Sequence, residues 1–431
     1  MSYRNTTFSK FCAIIEKVLN GNRKIELFKG QEMGILSNMI TAKLIEQCMP
    51  DPSVIYVPEG GFGQNGGTND VDRRKFTILG ETGSGKTCYL LGMYFEMSAG
   101  VAGYTVIAED DNDDKNLTNR YDLLNDKSRG ASRFPDPSDS VQKMNFKLQY
   151  AYENIVPFEW IDYPGGFLDP KERDTNSEQY KEVEKSINES DIIFICIDGE
   201  NLVGNNTTQK IRKIKQKCGR RISPYLGNLK DKLKKENKNK TLPPIGMIVT
   251  KYDICAQDTN PDELKEIVEE VFEPLFVDDE TFVAIIPVSL GATLQDDSYK
   301  GELEPLNIHL PILLGINFAL IDLLYYGKYL IDEDRDYVEW ASRQKREEEN
   351  RWAISRWFFG GYDPERLGEH ISETQEKIKQ NKEVAKYFKK SLTRVNNELD
   401  KLDMIFAEGE WLTRRNKRKF WDNAQDIVNY F

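Results

Sequence analysis

Eight consecutive residues could hold the phosphate groups of a nucleotide. The segment from Gly80 to Thr87, GETGSGKT, matches the pattern GxxxxGK[ST] and lies between an apolar run, KFTIL, and a helical pattern, TCYLLGMYFEMSA. Glycines let successive backbone N–H groups face phosphate oxygens, and the start of the helix adds partial positive charge. Lys86 is expected to reach the terminal phosphates, and Thr87 to bind Mg²⁺. The predicted phosphate contacts are Gly80, Thr82, Gly83, Ser84, Gly85, Lys86, Thr87 and Cys88.

Three later segments place polar residues at the ends of apolar, strand-like runs. Residues 162–165 (DYPG) follow FEWI, residues 250–253 (TKYD) follow PIGMIV, and residues 289–290 (SL) follow TFVAIIPV. Ligands bind at the carboxyl ends of strands in doubly wound α/β sheets. The three segments and the glycine-rich loop together therefore predict a single nucleotide site.

With these four motifs in this order, residues 76–330 resemble the P-loop GTPases of the translation-factor and Ras-like class. The resemblance implies that Asp162 contacts Mg²⁺ through water and that the Gly165 amide senses the γ-phosphate. It also implies that Asp253 accepts the guanine N1 and N2 hydrogens, which adenine lacks, so that ATP would leave this carboxylate unpaired. Lys251 would pack over the base and brace the loop, and residues 289–290 would offer a backbone amide to guanine O6. The guanine contacts are thus predicted at Thr250, Lys251, Asp253, Ser289 and Leu290.

Three features depart from that family pattern. The TKYD motif begins with Thr250 where Asn is usual, and Gly166 stands where Ras-like enzymes carry a water-orienting Gln. We therefore expect the chain alone to hydrolyse GTP slowly and to need a partner or an oligomer for activation. The predicted catalytic residues are Lys86, Gly165 and Gly166. The interval between the first two motifs is long, so the second Mg²⁺-binding hydroxyl stays open between Ser138 and Ser140, with Thr105 and Thr118 as weaker candidates.

A narrower resemblance rests on three phrases, TGSGKTCYLLGMY, RFPDPSDS and WIDYPGG. They are similar to bacterial GTPases of the double-GTPase type, which occur in prokaryotic conflict and defence loci, often beside a second GTPase. This resemblance implies a role in antiviral defence.

Two other functions stay open from the sequence. In a P-loop ATPase, Asp198 at the end of DIIFICID would be the metal-binding carboxylate, with Glu200 nearby. In an interaction scaffold, the chain would hold GTP without hydrolysing it, which Gly166 and a long helical arm favour. Nucleotide titration separates the first alternative from a GTPase, and phosphate release separates the second.

Composition excludes several other kinds of chemistry. The 431 residues include 59 Lys and Arg and 71 Asp and Glu, and the net charge of −12 disfavours a surface that binds nucleic acid or membrane as a whole. Two histidines, His309 and His370, exclude a His-rich zinc site. The cysteines form no CxxC pair, and the sequence shows no signal peptide and no run of 18 apolar residues. We therefore expect a cytoplasmic protein without a transmembrane segment.

The elements that must position the site alternate between strand and helix over residues 75–330. This alternation predicts an α/β fold with a doubly wound, mostly parallel sheet. We expect a helical extension at 1–57 and a Gly-rich linker at 58–74 before this domain, and a helical arm at 331–431 after it.

Two further segments could bind partners. Over residues 365–406, apolar residues at alternating spacings of four and three predict a coiled-coil or helical-hairpin seam, for packing within the chain or for self-association. Residues 209–240 hold thirteen Lys or Arg and two acids, a net charge of +11. This basic segment would bind an acidic partner or nucleic acid, or form a solvated helix face.

Overall fold

The fold is taken from a computed structural model, which describes residues 73–136, 140–165, 184–236, 241–291, 294, 303–349 and 364–423. The helical extension predicted at 1–57 lies outside the described residues, as does almost all of the predicted linker. Gly166 and Ser138 also lie outside them.

A nine-stranded sheet forms the centre of the fold, in the order β2-β3-β4-β1-β5-β6-β7-β8-β9. Its strands are β1 Arg74–Gly80, β2 Tyr104–Ala108, β3 Gln142–Tyr150, β4 Glu153–Asp162, β5 Ile192–Asp198, β6 Ile245–Thr250, β7 Val283–Pro287, β8 Met404–Ala407 and β9 Glu410–Trp411.

The sheet is mixed, so the prediction of a mostly parallel sheet is wrong. The five central strands from β4 to β7 pair in parallel, as predicted, but both edges are antiparallel. Only Ala151 and Tyr152 separate β3 from β4, and both have positive φ. A connection that short allows only antiparallel pairing, because a parallel pair needs a crossover of a dozen residues or more.

Helices cover both faces of the sheet, which confirms the α/β class. They are α1 Lys86–Ala99, α2 Asp111–Asn125, α3 Thr207–Ile214, α4 Arg220–Glu236, α5 Tyr252–Cys255, α6 Pro261–Val271, α7 Leu310–Glu349, α8 Pro364–Leu399 and α9 Arg414–Asn423. Alternate side chains of β1 enter two separate cores, with Phe76 and Ile78 in one and Leu79 in the other. The first core includes α1, α2, α7 and α8, and the second includes α3, α4 and α6.

Short polar side chains set where several helices begin. The Asp110 carboxylate accepts from the N–H groups of Asn112 and Asp113 at the start of α2. Asn260 does the same for the first turn of α6, where Pro261 is the first helical residue. These contacts satisfy backbone donors that have no partner within the helix.

Helices α7 and α8 pack antiparallel as a long hairpin. Asn317 near the start of α7 donates to Asn396 near the end of α8, and His309 Nε2 lies 3.4 Å from Glu398 Oε2. The seam residues on α8, among them Ala385, Phe388 and Leu392, are buried in the first core. Because this seam is buried within the chain, the structure favours the intramolecular alternative. Whether the chain also self-associates stays a prediction.

The helical seam predicted to run to residue 406 is wrong in its last part. Helix α8 ends at Leu399, and the chain then forms strand β8, which pairs with β7. Lys417 Nζ on α9 donates to the carbonyl oxygens of Asp400 and Leu402 just beyond the helix end, at 2.5 and 2.7 Å. The spacing of Leu402 and Phe406 continues the heptad pattern, but both residues lie beyond the helix: Leu402 is buried in the first core, and Phe406, on β8, is buried in the second.

The segment Leu310–Glu347 of α7 is long and apolar enough to pass a test for a membrane span by length and composition. In its most apolar stretch, 61% is buried inside the protein. Ile312, Leu313 and Leu314 are fully buried in the first core, where α7 serves as a core helix.

Candidate functional site

The predicted motifs meet at one edge of the sheet. Strand pairing places Ile78 beside Asp162, Gly80 beside Cys196, and Asp198 beside Thr250. The carboxyl ends of β1, β4, β5, β6 and β7 therefore lie together, as expected for a parallel sheet. A cavity of about 580 Å³ opens at this edge, and it is lined by residues 81–89, 162–165, 250–251, 253 and 288–291.

The glycine-rich loop adopts the backbone that its sequence predicts. Gly83 and Gly85 have φ of 80° and 88°, a region that glycine enters without steric cost. Helix α1 begins at Lys86, directly after this turn. Lys86 Nζ donates to the carbonyl oxygens of Gly80 at 2.9 Å and Glu81 at 3.1 Å, so its charge is held over the loop.

Two side chains fasten the loop to the neighbouring strands. Thr250 Oγ1 donates to the Ser84 carbonyl oxygen at 2.7 Å, and Cys196 Sγ donates to the same oxygen at 3.0 Å. Thr250 also packs closely against Gly85, since a Cβ on Gly85 would lie only 3.2 Å from Thr250 Oγ1. Thr250 thus braces the loop through its hydroxyl.

Gly165 lies directly against the loop. A Cβ on Gly165 would be 2.1 Å from the Thr82 nitrogen and 2.7 Å from the Glu81 carbonyl carbon. No side chain fits there without moving the backbone of one segment or the other. The DYPG segment therefore lies in backbone contact with the phosphate-binding loop.

Asp162 fits the role of a metal-binding carboxylate. Its side chain is buried at 1% exposure, and its Oδ1 has no hydrogen-bond partner among the described residues. Burial raises the pKa of Asp162 to about 6, against the opposing charges of Lys86 and Arg120. With the Thr87 hydroxyl, it offers the hard oxygen donors that Mg²⁺ prefers.

The rest of the donor set also fits Mg²⁺. The described residues contain no group of three or more His, Cys, Asp or Glu that could hold a metal ion. Mg²⁺ is usually held by one or two carboxylates together with substrate phosphates. Asp162 and Thr87 beside the phosphate-binding loop match that requirement.

The Asp162→Asn variant is expected to stabilise the nucleotide-free protein at pH 7.5 while weakening Mg²⁺-dependent nucleotide binding. A carboxyl whose folded pKa is raised costs stability once pH rises above its unfolded pKa, and the cost is complete above about 6. At about 1.4 kcal/mol per pKa unit, removing this charge would raise the free energy of unfolding by about 2–3 kcal/mol. Denaturant unfolding at pH 7.5 and pH 4 would measure it.

The gain from Asp162→Asn should fall to less than about 1 kcal/mol near pH 4, where the folded carboxyl is protonated and the unfolded one is about half protonated. Asp262→Asn is a matched control, since the Asp262 side chain is 91% exposed on α6. A loss of stability in Asp162→Asn at pH 7.5, or an equal gain at both pH values, would contradict the burial of an unpaired charge.

The Asp253 carboxylate, which is predicted to contact the base, is held in position by a hydrogen bond. Ser289 Oγ donates to Asp253 Oδ1 at 2.5 Å and accepts from the Gly291 N–H at 2.8 Å. Leu290 turns its side chain onto α1, where its Cδ2 lies 2.1 Å from the position a Gly92 Cβ would occupy. Ser289 therefore orients Asp253 through its side chain, a contact that sequence analysis did not anticipate.

Lys251 contacts two acids on the neighbouring strand end. Its Nζ lies 3.1 Å from Asp198 Oδ2 and 2.6 Å from Glu200 Oε1. Its backbone has a positive φ of 51°. The loop-bracing contact expected of Lys251 is made by Thr250, and the two carboxylates proposed for an ATPase are paired with a lysine.

The candidates for the second Mg²⁺-binding hydroxyl, which lie between the first two motifs in sequence, are found in different places. Ser140 is exposed and lines a neighbouring cavity. Thr105 Oγ1 on β2 donates to Gln149 Oε1 at 3.4 Å, and Thr118 is exposed on α2. Neither Thr105 nor Thr118 lines the nucleotide cavity, and the predicted hydroxyl stays unassigned among the described residues.

Sequence reasoning missed several residues that line the cavity. They include Arg133, Phe134, Pro135 and Asp136, which precede β3, and also Leu294 and Ile308. Their phrase RFPD was singled out only for the serines that follow it. The run of Arg, aromatic and Pro residues between α2 and β3 was the available signal.

Six of the thirteen Lys and Arg residues in the basic segment at 209–240 form salt bridges within the described fold. Lys210 is buried and pairs with Glu263 at 2.9 Å, and Lys230 pairs with Asp278 at 2.8 Å. Further pairs join Lys215 to Glu270, Lys232 to Glu184, Lys234 to Asp278 and Glu280, and Arg221 to Glu81. These contacts support the structural interpretation of the segment, and binding of an acidic partner or nucleic acid stays a prediction.

No protein-family model and no curated protein matches the sequence. Solved structures that are similar to part of the chain include two of the Saccharomyces cerevisiae Ski7 GTPase-like domain. The one bound to GTP is 18% identical with a TM-score of 0.26, and the one bound to GDP and inorganic phosphate is 17% identical with a TM-score of 0.27. Each match covers 54% of this chain and 47% of the other, so it spans about half the length of those chains.

Proposed function

We propose that this chain binds a guanine nucleotide together with Mg²⁺ and hydrolyses GTP to GDP and phosphate. It would act as a nucleotide-controlled switch or assembly factor. One observation carries the proposal: the phosphate-binding loop and Asp253, held by Ser289, line one cavity of about 580 Å³.

The preference for guanine rests on the carboxylate of Asp253. Guanine N1–H and N2–H can donate to the two carboxylate oxygens of Asp253, whereas adenine would leave the oriented carboxylate without these donors. A site built around such a hydrogen bond discriminates strongly against the base that lacks it. The ATPase alternative is less well supported, because Asp198 and Glu200 both pair with Lys251.

The phosphate groups would be held by backbone N–H groups of the loop and by Lys86. Its Nζ is already held beside the loop by the carbonyl oxygens of Gly80 and Glu81, so it can move a short distance to the terminal phosphates. Asp162 and Thr87 would hold Mg²⁺, which neutralises phosphate charge when bound.

Switching would depend on the contact between Gly165 and Thr82. The backbone of Gly165 packs against the loop that binds phosphate. A terminal phosphate there can accept a hydrogen bond from the Gly165 amide, and its departure removes that bond. The segment from Asp162 onwards would thus differ between the two nucleotide states.

Slow hydrolysis is part of the proposal. Gly166 carries no side chain that could orient the attacking water, so the group that orients it would come from the backbone, a partner or a second copy of the chain.

By the resemblance of its motif phrases, we extend the proposal to a cytoplasmic protein of a bacterial antiviral defence system. A protein partner or self-association through 365–406 would complete the switch.

The proposal is tested by titrating the protein with fluorescent GTP and ATP, each with and without Mg²⁺, and by following phosphate release. Mg²⁺-dependent binding of GTP at least about 100-fold tighter than ATP is expected, with phosphate released over many minutes. Preference for ATP would overturn the guanine assignment. Tight GTP binding with no phosphate release would identify a non-hydrolysing scaffold. Light scattering with GDP and a non-hydrolysable GTP analogue would show whether assembly follows the nucleotide.

A further inference from the structure

Helix α8 carries a row of basic side chains on the face opposite its buried seam. The row follows helical spacings of three and four residues, which place its members on one side of the helix. Its members are Lys379, Lys382, Lys386, Lys390 and Arg394. The four lysines are exposed and the arginine is half-buried. At 1.5 Å per residue, this α8 basic stripe is about 22 Å long.

The fold leaves most of the charge on this stripe unpaired. Three of its five cations form no ion pair among the described residues. The other two pair only with glutamates one turn earlier on α8 itself, at 3.5 and 2.5 Å. Residues 377–394 hold seven Lys or Arg and one acid, in a chain whose net charge is −12. The α8 basic stripe is therefore a positive surface on an acidic protein, and it can attract a negative partner.

Helix α2 and the residue that follows it carry a row of carboxylates with the same spacing. The members of this α2 acidic row are Asp111, Asp114, Asp122 and Asp126, and Thr118 fills the remaining place. All four carboxylates are exposed, and none pairs with a Lys or Arg in the part of the chain that the structure describes. The row is also about 22 Å long. If the two rows faced each other, four carboxylates would lie opposite four cations, whichever way the helices ran.

Exposed apolar side chains lie beside both rows. The Arg394 guanidinium lies over the Tyr150 ring, 4.2 Å from its centroid, and Tyr152 in the turn after β3 is 88% exposed. Beside the α2 acidic row, Leu123 is 42% exposed. Ion pairs at an exposed surface contribute little alone, whereas Tyr and Arg are frequent anchors of protein interfaces. These side chains supply the apolar contact that a protein interface at the two rows needs.

We propose that the α8 basic stripe of one copy of this chain docks on the α2 acidic row of a second copy. The two rows match in length, spacing and charge, and within the described residues of one chain no ion pair joins them. The contact gives self-association a surface on the outer face of α8, away from the buried seam. Each copy offers both rows, so the association forms a reciprocal dimer, a ring or an open chain of copies. It does not require a bound nucleotide.

The test follows the mass of the nucleotide-free full chain by light scattering, at concentrations up to about 100 µM and at two salt concentrations, about 50 and about 300 mM. In low salt the mass should rise with protein concentration. In high salt the association should weaken by at least about tenfold, because salt screens attraction between exposed charges.

Two charge-reversed variants test the rows separately. Lys382→Glu/Lys390→Glu and Asp114→Lys/Asp122→Lys should each stay monomeric in low salt, and an equimolar mixture of the two should associate again, because the reversed rows are complementary. The second variant brings the net charge of −12 closer to zero, so general repulsion between copies cannot explain its loss of association. Asp114 accepts a hydrogen bond from the Tyr94 hydroxyl, so circular dichroism checks the fold of each variant.

Arg414→Glu/Arg415→Glu, at two exposed arginines of α9, is the matched control and should associate like the unaltered chain. A monomer at about 100 µM in low salt, association that survives either reversal, or a mixture that stays monomeric would overturn the inference. Loss of association in the control would overturn it too. A short DNA duplex is added in a separate arm, and binding that is stronger than self-association and is lost in Lys382→Glu/Lys390→Glu would assign the stripe to nucleic acid instead. None of these results bears on GTP binding, which is measured separately.

Discussion

The Lys86→Ala variant is expected to lose at least about 100-fold in affinity for GTP. Lys86 is the only lysine among the predicted phosphate contacts, and its Nζ lies over the loop at 2.9 Å from the Gly80 oxygen. The backbone N–H groups of the loop remain in the variant, but they carry partial charges alone. The loss should be larger for GTP than for GDP, because a γ-phosphate adds charge that the lysine would neutralise. Titration with fluorescent GTP and GDP measures both losses.

A fold control is needed because Lys86 also bonds two loop carbonyl groups. Far-UV circular dichroism and thermal unfolding of the nucleotide-free variant should show an intact fold, since those carbonyls can reach water in the open cavity. Lys115→Ala removes an exposed lysine of α2 and should leave GTP affinity unchanged. Unchanged GTP affinity in Lys86→Ala would refute the assignment of the phosphate site.

The Asp253→Asn variant is expected to lower GTP affinity by about 100-fold or more and to raise affinity for xanthosine triphosphate. In the proposed site the carboxylate would accept two hydrogens from guanine, whereas an amide would present one acceptor and one donor group to the base. Xanthine has a carbonyl where guanine has its amino group, so the amide N–H can donate to it. Competition between fluorescent GTP and each triphosphate measures the change.

Ser289 makes this variant informative about geometry as well. Its hydroxyl orients Asp253 Oδ1 and can still donate to the amide oxygen of an asparagine, so the side chain should keep its position. Asp262→Asn, an exposed carboxylate nine residues later, is the control and should change neither affinity. An unaltered ratio of GTP to xanthosine triphosphate affinity in Asp253→Asn would remove the base-specificity assignment.

Much of the site was predictable because its signals are local. The loop needs glycines where φ is positive, and Gly83 and Gly85 meet that need within a few residues of the helix that follows. Apolar runs such as IGMIVT predict buried strands, and the polar residues after them fall at the strand ends. The parallel centre of the sheet then brings these ends together.

The contacts that shape the site were not predictable in the same way. Thr250 reaches Ser84 across 166 positions of sequence, and Ser289 reaches Asp253 across 36. A hydroxyl in a sequence can cap a helix, bind a metal or brace a loop, and only its neighbours in space decide among these. Arg133 in the wall of the cavity was missed for the same reason, since it belongs to no motif.

Local sequence signals predict the glycine-rich loop, the α/β alternation around it and the strand-end position of Asp162 and Asp253. These depend on backbone conformation and hydrophobic periodicity, which adjacent residues dictate. Long-range contacts, by contrast, give the sheet its antiparallel edges, pack the α8 seam on α7, and pair Lys210, Lys230, Lys232 and Lys234 with acids elsewhere in the chain. A periodic apolar or charged face specifies that a partner is needed, but the identity of the partner depends on which distant segments the fold brings beside it.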